Sequence, residues 1–338
     1  MRNLNVLITG IGGPTAQGIL RGLKDKENVH TIGTDRRCVT AGNLFCDAFR
    51  QTPPYTQVDA YKQAIKEIVK EEKIDAVFPT LHGEIEVYED LRNELDLAVA
   101  LPVSDQFEVM MDKEKGYQFL AENDLHQYIP KYYGFSNAAE LKQIAESAFS
   151  EGPYICVKQV TGNGSMGFAV LTDRDNYLQA IEKGQNRIYN IADYLDVPSN
   201  ERRIVMEYLD GKEHSVDVFI HEGEVITAVP RERTHVSNNI VLDGKVVFHK
   251  DLIEAATVIT KAMATSGFIN LQFITTDDGY KLTDVNARFG GSHVMSLGAG
   301  VNFPYLFLQY NVLGETETVN PVWNTRMVRY RDHYFIRE

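Results

Sequence analysis

Residues 279–291 read Gly-Tyr-Lys-Leu-Thr-Asp-Val-Asn-Ala-Arg-Phe-Gly-Gly and alternate as a half-buried β-strand does. Successive side chains of a strand point to opposite faces, so the alternation places Asp284, Asn286 and Arg288 on one face. This stretch therefore predicts a strand that presents a carboxylate, an amide and a guanidinium together.

A turn signal, residues 277–279, comes just before this strand. It predicts a hairpin between residues 269–276 and 280–289. A three-residue loop would set Gln272 opposite Asp284 and add a second oxygen ligand to the polar face. Carboxylate and amide oxygens suit a magnesium ion that also shares phosphate oxygens, and an adjacent arginine suits the charge of phosphoryl transfer. The alternative is a solvated outer face of the hairpin.

Composition limits the class of protein. The chain has 338 residues and 43% hydrophobic content, which predicts a large core and two or three domains. Its net charge is −13 with no basic run, which argues against nucleic acid as a partner. Three cysteines without a C-x-x-C pair favour a reduced interior. The first residues lack a signal-type apolar core, and no run of eighteen apolar residues occurs, so we expect a soluble, cytoplasmic protein without membrane contact.

The first hundred residues alternate strand and helix patterns. Short apolar runs end at Thr9, Asp35 and Thr80, and helical patterns cover residues 15–24 and 60–71. This order predicts an α/β fold with a parallel, doubly wound sheet.

The glycine turn after the first strand raises the question of a dinucleotide site. Gly10 and Gly12 match the first two positions of G-x-G-x-x-G, but Thr15 occupies the third, where close helix packing favours Gly or Ala. The turn could equally serve a tight chain reversal or offer amides to a carboxylate substrate. Glu84 follows the third strand, where open α/β sheets expose ligand-binding loops, so it is either a substrate ligand or a helix-capping acid.

A second glycine motif occupies the middle of the chain. Residues 154–160 and 168–171 are predicted strands, and the glycines between them fit G-x-G-x-x-G. Since a strand follows, the motif predicts a glycine-tipped hairpin whose amides can close over phosphates. Lys158 precedes the loop and is placed to neutralise a phosphate oxygen. Lys113 lies in the first turn of another predicted helix, where a cation opposes the helix dipole, so it is either functional or simply solvated.

Two further segments carry candidate ligands. Residues 203–209 form an apolar strand and lead into a turn that could read an adenine edge, and Glu213 beyond it could bind ribose hydroxyls. Arg231 and Arg233 follow, and a bidentate arginine orients a carboxylate substrate well. The alternatives are exposed turn acids and a surface cluster of salt bridges.

Taken in order over roughly the whole chain, these motifs resemble the ATP-grasp superfamily, and within it the carbamoyl-phosphate-synthase-like and amino-acid-ligase branch. The resemblance implies a Rossmann-like pre-ATP-grasp domain over residues 1–105, an ATP-grasp domain of two subdomains over 106–315 with its lid at about 125–210, and a short tail over 316–338. The ATP-grasp part is then α+β.

The resemblance also implies roles for individual residues. ATP is expected to contact Lys113, Lys158, Gly162, Gly164, Ser165, Gly167, Glu207, Tyr208, Leu209 and Glu213. Magnesium or manganese is expected at Gln272, Asp284 and Asn286, with Arg288 as the catalytic arginine, and Glu84, Arg231 and Arg233 are the candidate substrate ligands. The family commonly has Glu at the position of Asp284 and a second carboxylate at that of Gln272, so this set has a single formal negative charge.

The implied reaction is an ATP-dependent ligation. A substrate carboxylate attacks the γ-phosphate to give an acyl-phosphate, which an amine or similar nucleophile then attacks. The acid, the amine and the number of subunits stay open, with a homodimer among the options. Two other functions remain: an ATP-binding sensor without ligase activity, and a nicotinamide-dependent dehydrogenase based on residues 10–35.

Overall fold

The computed structural model describes residues 2–95, 97–162, 167–237, 240–330 and 333–335. The chain divides into two compact units: the first combines residues 1–107, 213–272 and 285–338, and the second combines 108–212 with 273–284. The ATP-grasp domain expected at 106–315 is thus shared between the two units. Among the described residues, no helix has both the length and the apolar character needed to cross a bilayer.

The first unit begins with a parallel sheet in the order β3-β2-β1-β4-β5. Chain order leaves β1 toward one edge and then returns to its other side at β4, the arrangement of a doubly wound sheet. The predicted α/β opening is confirmed within one or two residues at most ends. The elements are β1 (Leu4–Ile8), α1 (Pro14–Leu23), β2 (Val29–Asp35), β3 (Ala48–Gln51), α2 (Val58–Glu71), β4 (Ala76–Phe78), α3 (Ile85–Arg92) and β5 (Ala98–Val99).

The second unit contains a mixed sheet in the order β6-β10-β7-β8-β9. The predicted glycine-tipped hairpin is its centre, because β7 and β8 pair antiparallel with Val157 opposite Ala169. Side-chain caps start three of its helices, at Asp112, Asn137 and Asp173. The elements are α4 (Phe107–Met111), α5 (Lys113–Glu122), β6 (Tyr132–Phe135), α6 (Ala138–Ala148), β7 (Tyr154–Gln159), β8 (Ala169–Thr172), α7 (Arg174–Glu182), β9 (Ile188–Asn190), α8 (Ile191–Leu195) and β10 (Arg203–Glu207).

A third sheet, in the order β15-β14-β11-β12-β13-β16, follows in the chain. Within residues 316–338, β16 pairs antiparallel with β13 and adds an edge strand to this sheet. The elements are β11 (Glu213–His221), β12 (Glu224–Ser237), β13 (Ile240–Val246), α9 (Lys250–Met263), β14 (Gly267–Thr276), β15 (Gly279–Asn286), α10 (Val294–Gly298), α11 (Phe303–Leu308), a π-helical turn (Gln309–Leu313) and β16 (Arg326–Val328).

Aromatic side chains join the parts of the first unit. The rings of Phe268 and Phe289 stack with centroids 4.0 Å apart, and Phe78 of β4 meets Phe289 edge-on at 5.6 Å. All three are fully or almost fully buried. Such pairs add roughly 0.5–1.5 kcal/mol each beyond the area they bury. They fix the segment after β15 against the parallel sheet.

Candidate functional site

The two predicted phosphate-binding lysines of the second unit both reach β15. Lys113 is the first residue of α5, and its ammonium lies 3.2 Å from the Oδ1 atom of Asp284. Lys158, on β7, donates to the carbonyl of Thr283 at 3.2 Å. The structure therefore brings both lysines to adjacent residues of the strand that carries the predicted metal-binding carboxylate.

Local chemistry explains how Lys113 is held there. The carboxylate of Asp112 caps α5 by accepting from the backbone amide of Lys115 at 3.0 Å. The amide of Lys113 donates to the carbonyl of Val160 at 2.8 Å, which ties the start of the helix to the end of β7. The side chains of Lys113 and Asp284 are only 15% and 24% exposed. Their attraction is therefore less screened than that of a surface pair.

The glycine loop begins beside this cluster. The ammonium of Lys113 also lies 3.4 Å from the carbonyl of Gly162. Gly162 and Gly167 have φ values of +105° and +66°, which a side chain would strain. The other two predicted loop residues, Gly164 and Ser165, lie outside the described residues.

The predicted adenine linker follows β10, which ends at Glu207. The carboxylate of Glu207 accepts from the amide of Lys131 at 2.8 Å, so this acid holds the backbone of its own unit. The ring of Tyr208 lies 5.3 Å from that of Tyr154 and is 42% exposed. Leu209 is half-buried and lies past the end of the strand. Glu207 thus positions the segment, and Tyr208 offers the apolar surface.

In the first unit, two predicted ligands face each other. Arg233 of β12 and Glu213 of β11 form an ion pair at 3.1 Å. Arg233 is 12% exposed and Glu213 is 52% exposed. The predicted substrate arginine and the predicted ribose-binding acid therefore lie in one place.

The remaining predicted metal ligands, Gln272 and Asn286, also belong to the first unit and are half-buried. The amide nitrogen of Asn286 is 3.4 Å from the Oδ1 atom of Asn270, which leaves its own oxygen as the atom to offer a cation. Within the described ranges, no three His, Cys, Asp or Glu side chains cluster as metal ligands. An amide oxygen is a ligand type that a hard cation accepts beside oxygens of phosphates and water.

The predicted strand end is wrong. β15 stops at Asn286, three residues before the predicted end, so Arg288 lies in a bend after the strand. Its Nη1 atom donates to the carbonyl of Phe289 at 2.7 Å. The strand period therefore applies to Asp284 and Asn286, and the position of Arg288 depends on the bend.

Arg231 does not fit the predicted role of substrate ligand. Its side chain is fully buried and pairs with the equally buried Asp217 at 2.6 Å. It also donates to Ser292 at 2.5 Å, and Asp217 accepts further from Asn270 and Ser296. A buried charge needs such partners because it has lost its water. Sequence reasoning missed Asp217, whose only signal is a charged residue inside the apolar strand pattern of residues 214–220.

Glu84 lies at the carboxyl ends of the parallel strands, as predicted, but with only 1% of its surface exposed. Its carboxylate accepts from the hydroxyls of Thr9 and Tyr61 and from the amides of Thr80 and Leu81. Burial raises the pKa of Glu84, although these hydrogen bonds act in the opposite direction. Substrate contact and capping of the following helix were both predicted, but the carboxylate makes no capping hydrogen bond to α3 and instead accepts from the amides that precede it.

A cavity of about 420 Å³ lies above these strand ends in the first unit, the usual position of ligands in open α/β sheets. Its lining includes Gly12, Arg37, Tyr55, Tyr61 and Glu84.

Asp35 is committed to closing the glycine turn at one side of this cavity. Its two oxygens accept from the amide of Gly12 and from the backbone and guanidinium of Arg37. Burial tends to raise the pKa of Asp35, but the hydrogen bonds from Arg37 and Gly12 outweigh it and lower the pKa. The acid that a dehydrogenase would use for ribose thus holds its own loop.

Comparison with known proteins finds one matching family model and several solved structures that share the fold of this chain. Residues 199–333 match a family described as ATP-grasp in the biosynthetic pathway with Ter operon. No curated protein matches the chain.

Three solved structures illustrate the likeness of fold. Biotin carboxylase from Campylobacter jejuni, in a β-γ-ATP complex, has a TM-score of 0.68 and 16% identity, covering 95% of this chain and 73% of that one. An ADP complex of N5-carboxyaminoimidazole ribonucleotide synthetase has a TM-score of 0.69 and 18% identity over 95% and 80%. L-amino acid ligase from Bacillus licheniformis has a TM-score of 0.64 and 18% identity over 92% and 74%.

Proposed function

We propose that this chain, which has the ATP-grasp fold, is an ATP-dependent ligase that joins a small carboxylate to an amine or similar nucleophile. The products are the compound joined by a new C–N bond, ADP and phosphate. One observation carries the proposal: Lys113 and Lys158 meet at Thr283 and Asp284 within the second unit. Two ammonium groups at adjacent residues of one strand suit the phosphate oxygens of a nucleotide.

The first chemical step makes the carboxylate reactive. A carboxylate oxygen of the substrate bonds to the γ-phosphorus of ATP, and the bond to the β-γ bridging oxygen breaks, so that ADP leaves. Lys113 and Lys158 neutralise phosphate oxygens. Arg288, which follows the proposed metal-binding strand in the sequence, is the candidate to stabilise the phosphoryl group during transfer. Magnesium, when bound, would add positive charge at the same oxygens, with Gln272, Asp284 and Asn286 as its protein ligands.

The second step forms the new bond. The nucleophile's nitrogen bonds to the acyl carbon, phosphate leaves, and the nitrogen loses a proton. No nucleophilic side chain is needed, so the task of the protein is to position the reactants and exclude water. Arg233 is the stronger candidate to orient a substrate carboxylate, because Arg231 has no exposed surface. The cavity beside Glu84 is the candidate site for the small substrates.

The test measures ADP formation while amino acids and other small acids are screened in pairs with amines. We expect turnover that requires both a carboxylate and a nucleophile. Lys158→Ala should lower kcat/KM for ATP by roughly 10- to 100-fold, the size expected for loss of a charge-assisted bond of about 1.5–3 kcal/mol. Lys142→Ala is the matched control, because Lys142 is an exposed lysine of the same unit whose pair with Glu146 spans 4.0 Å.

An ATP-binding sensor without ligase activity is the second candidate. It is favoured by the predicted metal site, where the only carboxylate, Asp284, already pairs with Lys113. Tight ATP binding without ADP formation across the whole panel would support the sensor and refute the ligase. Equal activity of Lys158→Ala and Lys142→Ala would refute the proposed phosphate site.

A further inference from the structure

We propose that a cavity of about 520 Å³ in the second unit binds a small anion that carries an aromatic ring. The cavity lies among α7, α8, β9 and the ends of β8 and β10, and its volume suits a small organic ligand. The inference goes beyond the proposed ligase reaction and does not depend on it.

The cavity lies on the opposite face of the sheet from Lys158. Residues of one strand alternate between faces, so Cys156 and Lys158 share a face, and Val157 points the other way. Val157 packs with Ala169 and Val205, and Tyr194 of α8 packs against the same cluster. Ala169, Tyr194 and Arg203 line the cavity, so it belongs to this helix-covered face.

Aromatic rings form much of the wall. Tyr177, Tyr189 and Tyr194 all line the cavity, and Tyr189 is 45% exposed although it belongs to a strand. The hydroxyl of Tyr194 accepts from the Nη1 atom of Arg203 at 2.8 Å, which orients its ring. Partly exposed, fixed rings of this kind offer a planar ligand a stacking surface.

The charge of the lining favours an anion. Two arginines, Arg187 and Arg203, and one acid, Asp193, line the cavity in a chain whose net charge is −13. Asp193 lies 3.9 Å from Arg174, which offsets part of its charge. Arg187 is exposed and, among the described residues, has no carboxylate within 4 Å. Its guanidinium is therefore available to a ligand anion.

Two details describe how these arginines are held, and Arg203 also lies 3.6 Å from the carboxylate of Glu201. Arg187 has a φ of +66°, a left-handed conformation that non-glycine residues adopt at a cost of about 1 kcal/mol or more. The Nε atom of Arg203 is buried without a hydrogen-bond partner in the described chain, although the side chain is 15% exposed. A strained arginine and an unsatisfied donor at one cavity are typical of a site that a ligand completes.

Calorimetric titration with benzoate and phenyl phosphate tests the site, with acetate, inorganic phosphate and phenol as partial ligands. We expect benzoate and phenyl phosphate to bind, and the partial ligands to bind much more weakly. Preference between the first two identifies the anion as carboxylate or phosphate. Arg187→Gln should weaken binding by about tenfold, the loss of one charge-assisted contact.

Lys142→Gln is the control, because Lys142 is an exposed cation of the same unit that does not line the cavity and pairs with no residue of its lining. Tyr189→Leu, which removes a ring and keeps the charges, should also weaken binding. Lys113→Ala should bind benzoate as the wild type does, since Lys113 pairs with Asp284 and does not line the cavity. The proposal is overturned if the wild type binds neither aromatic anion, or if Arg187→Gln and Lys142→Gln bind benzoate equally.

Discussion

Arg231 and Arg233 show how far residue type alone predicts a role. They are two positions apart on β12 and therefore share a face, yet Arg231 has no exposed surface and Arg233 keeps 12%. Each pairs with an acid of the neighbouring strand, Asp217 for the first and Glu213 for the second. The burial of a side chain on a strand depends on which elements pack against that part of the strand. A single sequence does not contain this information. Arg231 is therefore held by buried partners, and Arg233 stays a candidate substrate ligand.

Replacing Arg231 by Met should destabilise the protein strongly. Asp217 would be left as a buried charge without its cation, which costs about 3–5 kcal/mol. Urea unfolding measures the loss. Arg326→Met is the matched control, because its pair with Asp243 is exposed and should contribute less than about 1 kcal/mol. A loss at Arg231 as small as that of the control would contradict the assigned role.

Glu84 should make stability depend on pH. Because its pKa is raised in the folded protein, folding takes up a proton near that pKa. Its contribution is fully present below the ordinary pKa of 4.5 and is lost as pH rises through the folded value. The free energy of unfolding of wild type minus that of Glu84→Gln should therefore fall as pH increases above about 4.5. A difference that stays constant between pH 4 and 7 would show that the pKa is not raised.

Among the elements, α5 connects a helix-capping residue to the candidate phosphate site. Asp112 caps the helix, and the next residue is the lysine that meets Asp284. The placement of Lys113 against the helix dipole, which the sequence left unexplained, therefore has a reason: the ammonium reaches over the helix start to an acid.

Asp112→Ala should destabilise the protein by about 1 kcal/mol, the usual cost of losing such a cap. Because the same change loosens the start of α5, the KM for ATP should also rise. Urea unfolding and steady-state kinetics measure the two effects. Asp112→Ser retains a capping oxygen and should restore most of both, whereas equal behaviour of the two variants would mean that the cap does not position Lys113.

Hydrophobic period predicted the elements well but not all their ends. β7, β8 and the hairpin of β14 and β15 were predicted from alternation and turn residues, since these depend on local chemistry. Alternation continues in the sequence through Phe289, whereas β15 ends at Asn286. The strand ends just before Phe289, whose ring stacks on that of Phe268. Hydrophobic periodicity cannot predict such a tertiary contact.

For the whole molecule, the order of the motifs predicted the fold, which the solved structures share, and residues 199–333 match an ATP-grasp family model. Single motifs were less informative than their order. Gly10, Gly12 and Asp35 left a dinucleotide-binding loop open as an alternative, and the contacts of Arg37 show that Asp35 instead closes the turn. The cavity beside Tyr189 and Arg187 was not predicted, because its walls come from separate elements. The roles of the remaining site residues stay predictions.

In the proposed phosphate site, the ammonium of Lys113 would serve as the counter-ion of Asp284 until a nucleotide binds. A phosphate that draws the ammonium of Lys113 away from Asp284 would free the carboxylate. One movement would thus prepare both the phosphate contact and the metal ligand. Affinities for nucleotide and for divalent cation then become reciprocal, each increasing the other by the same factor. In the absence of nucleotide, the ammonium of Lys113 would occupy the carboxylate of Asp284. A divalent cation alone would then bind weakly, because the charge of that carboxylate is already neutralised.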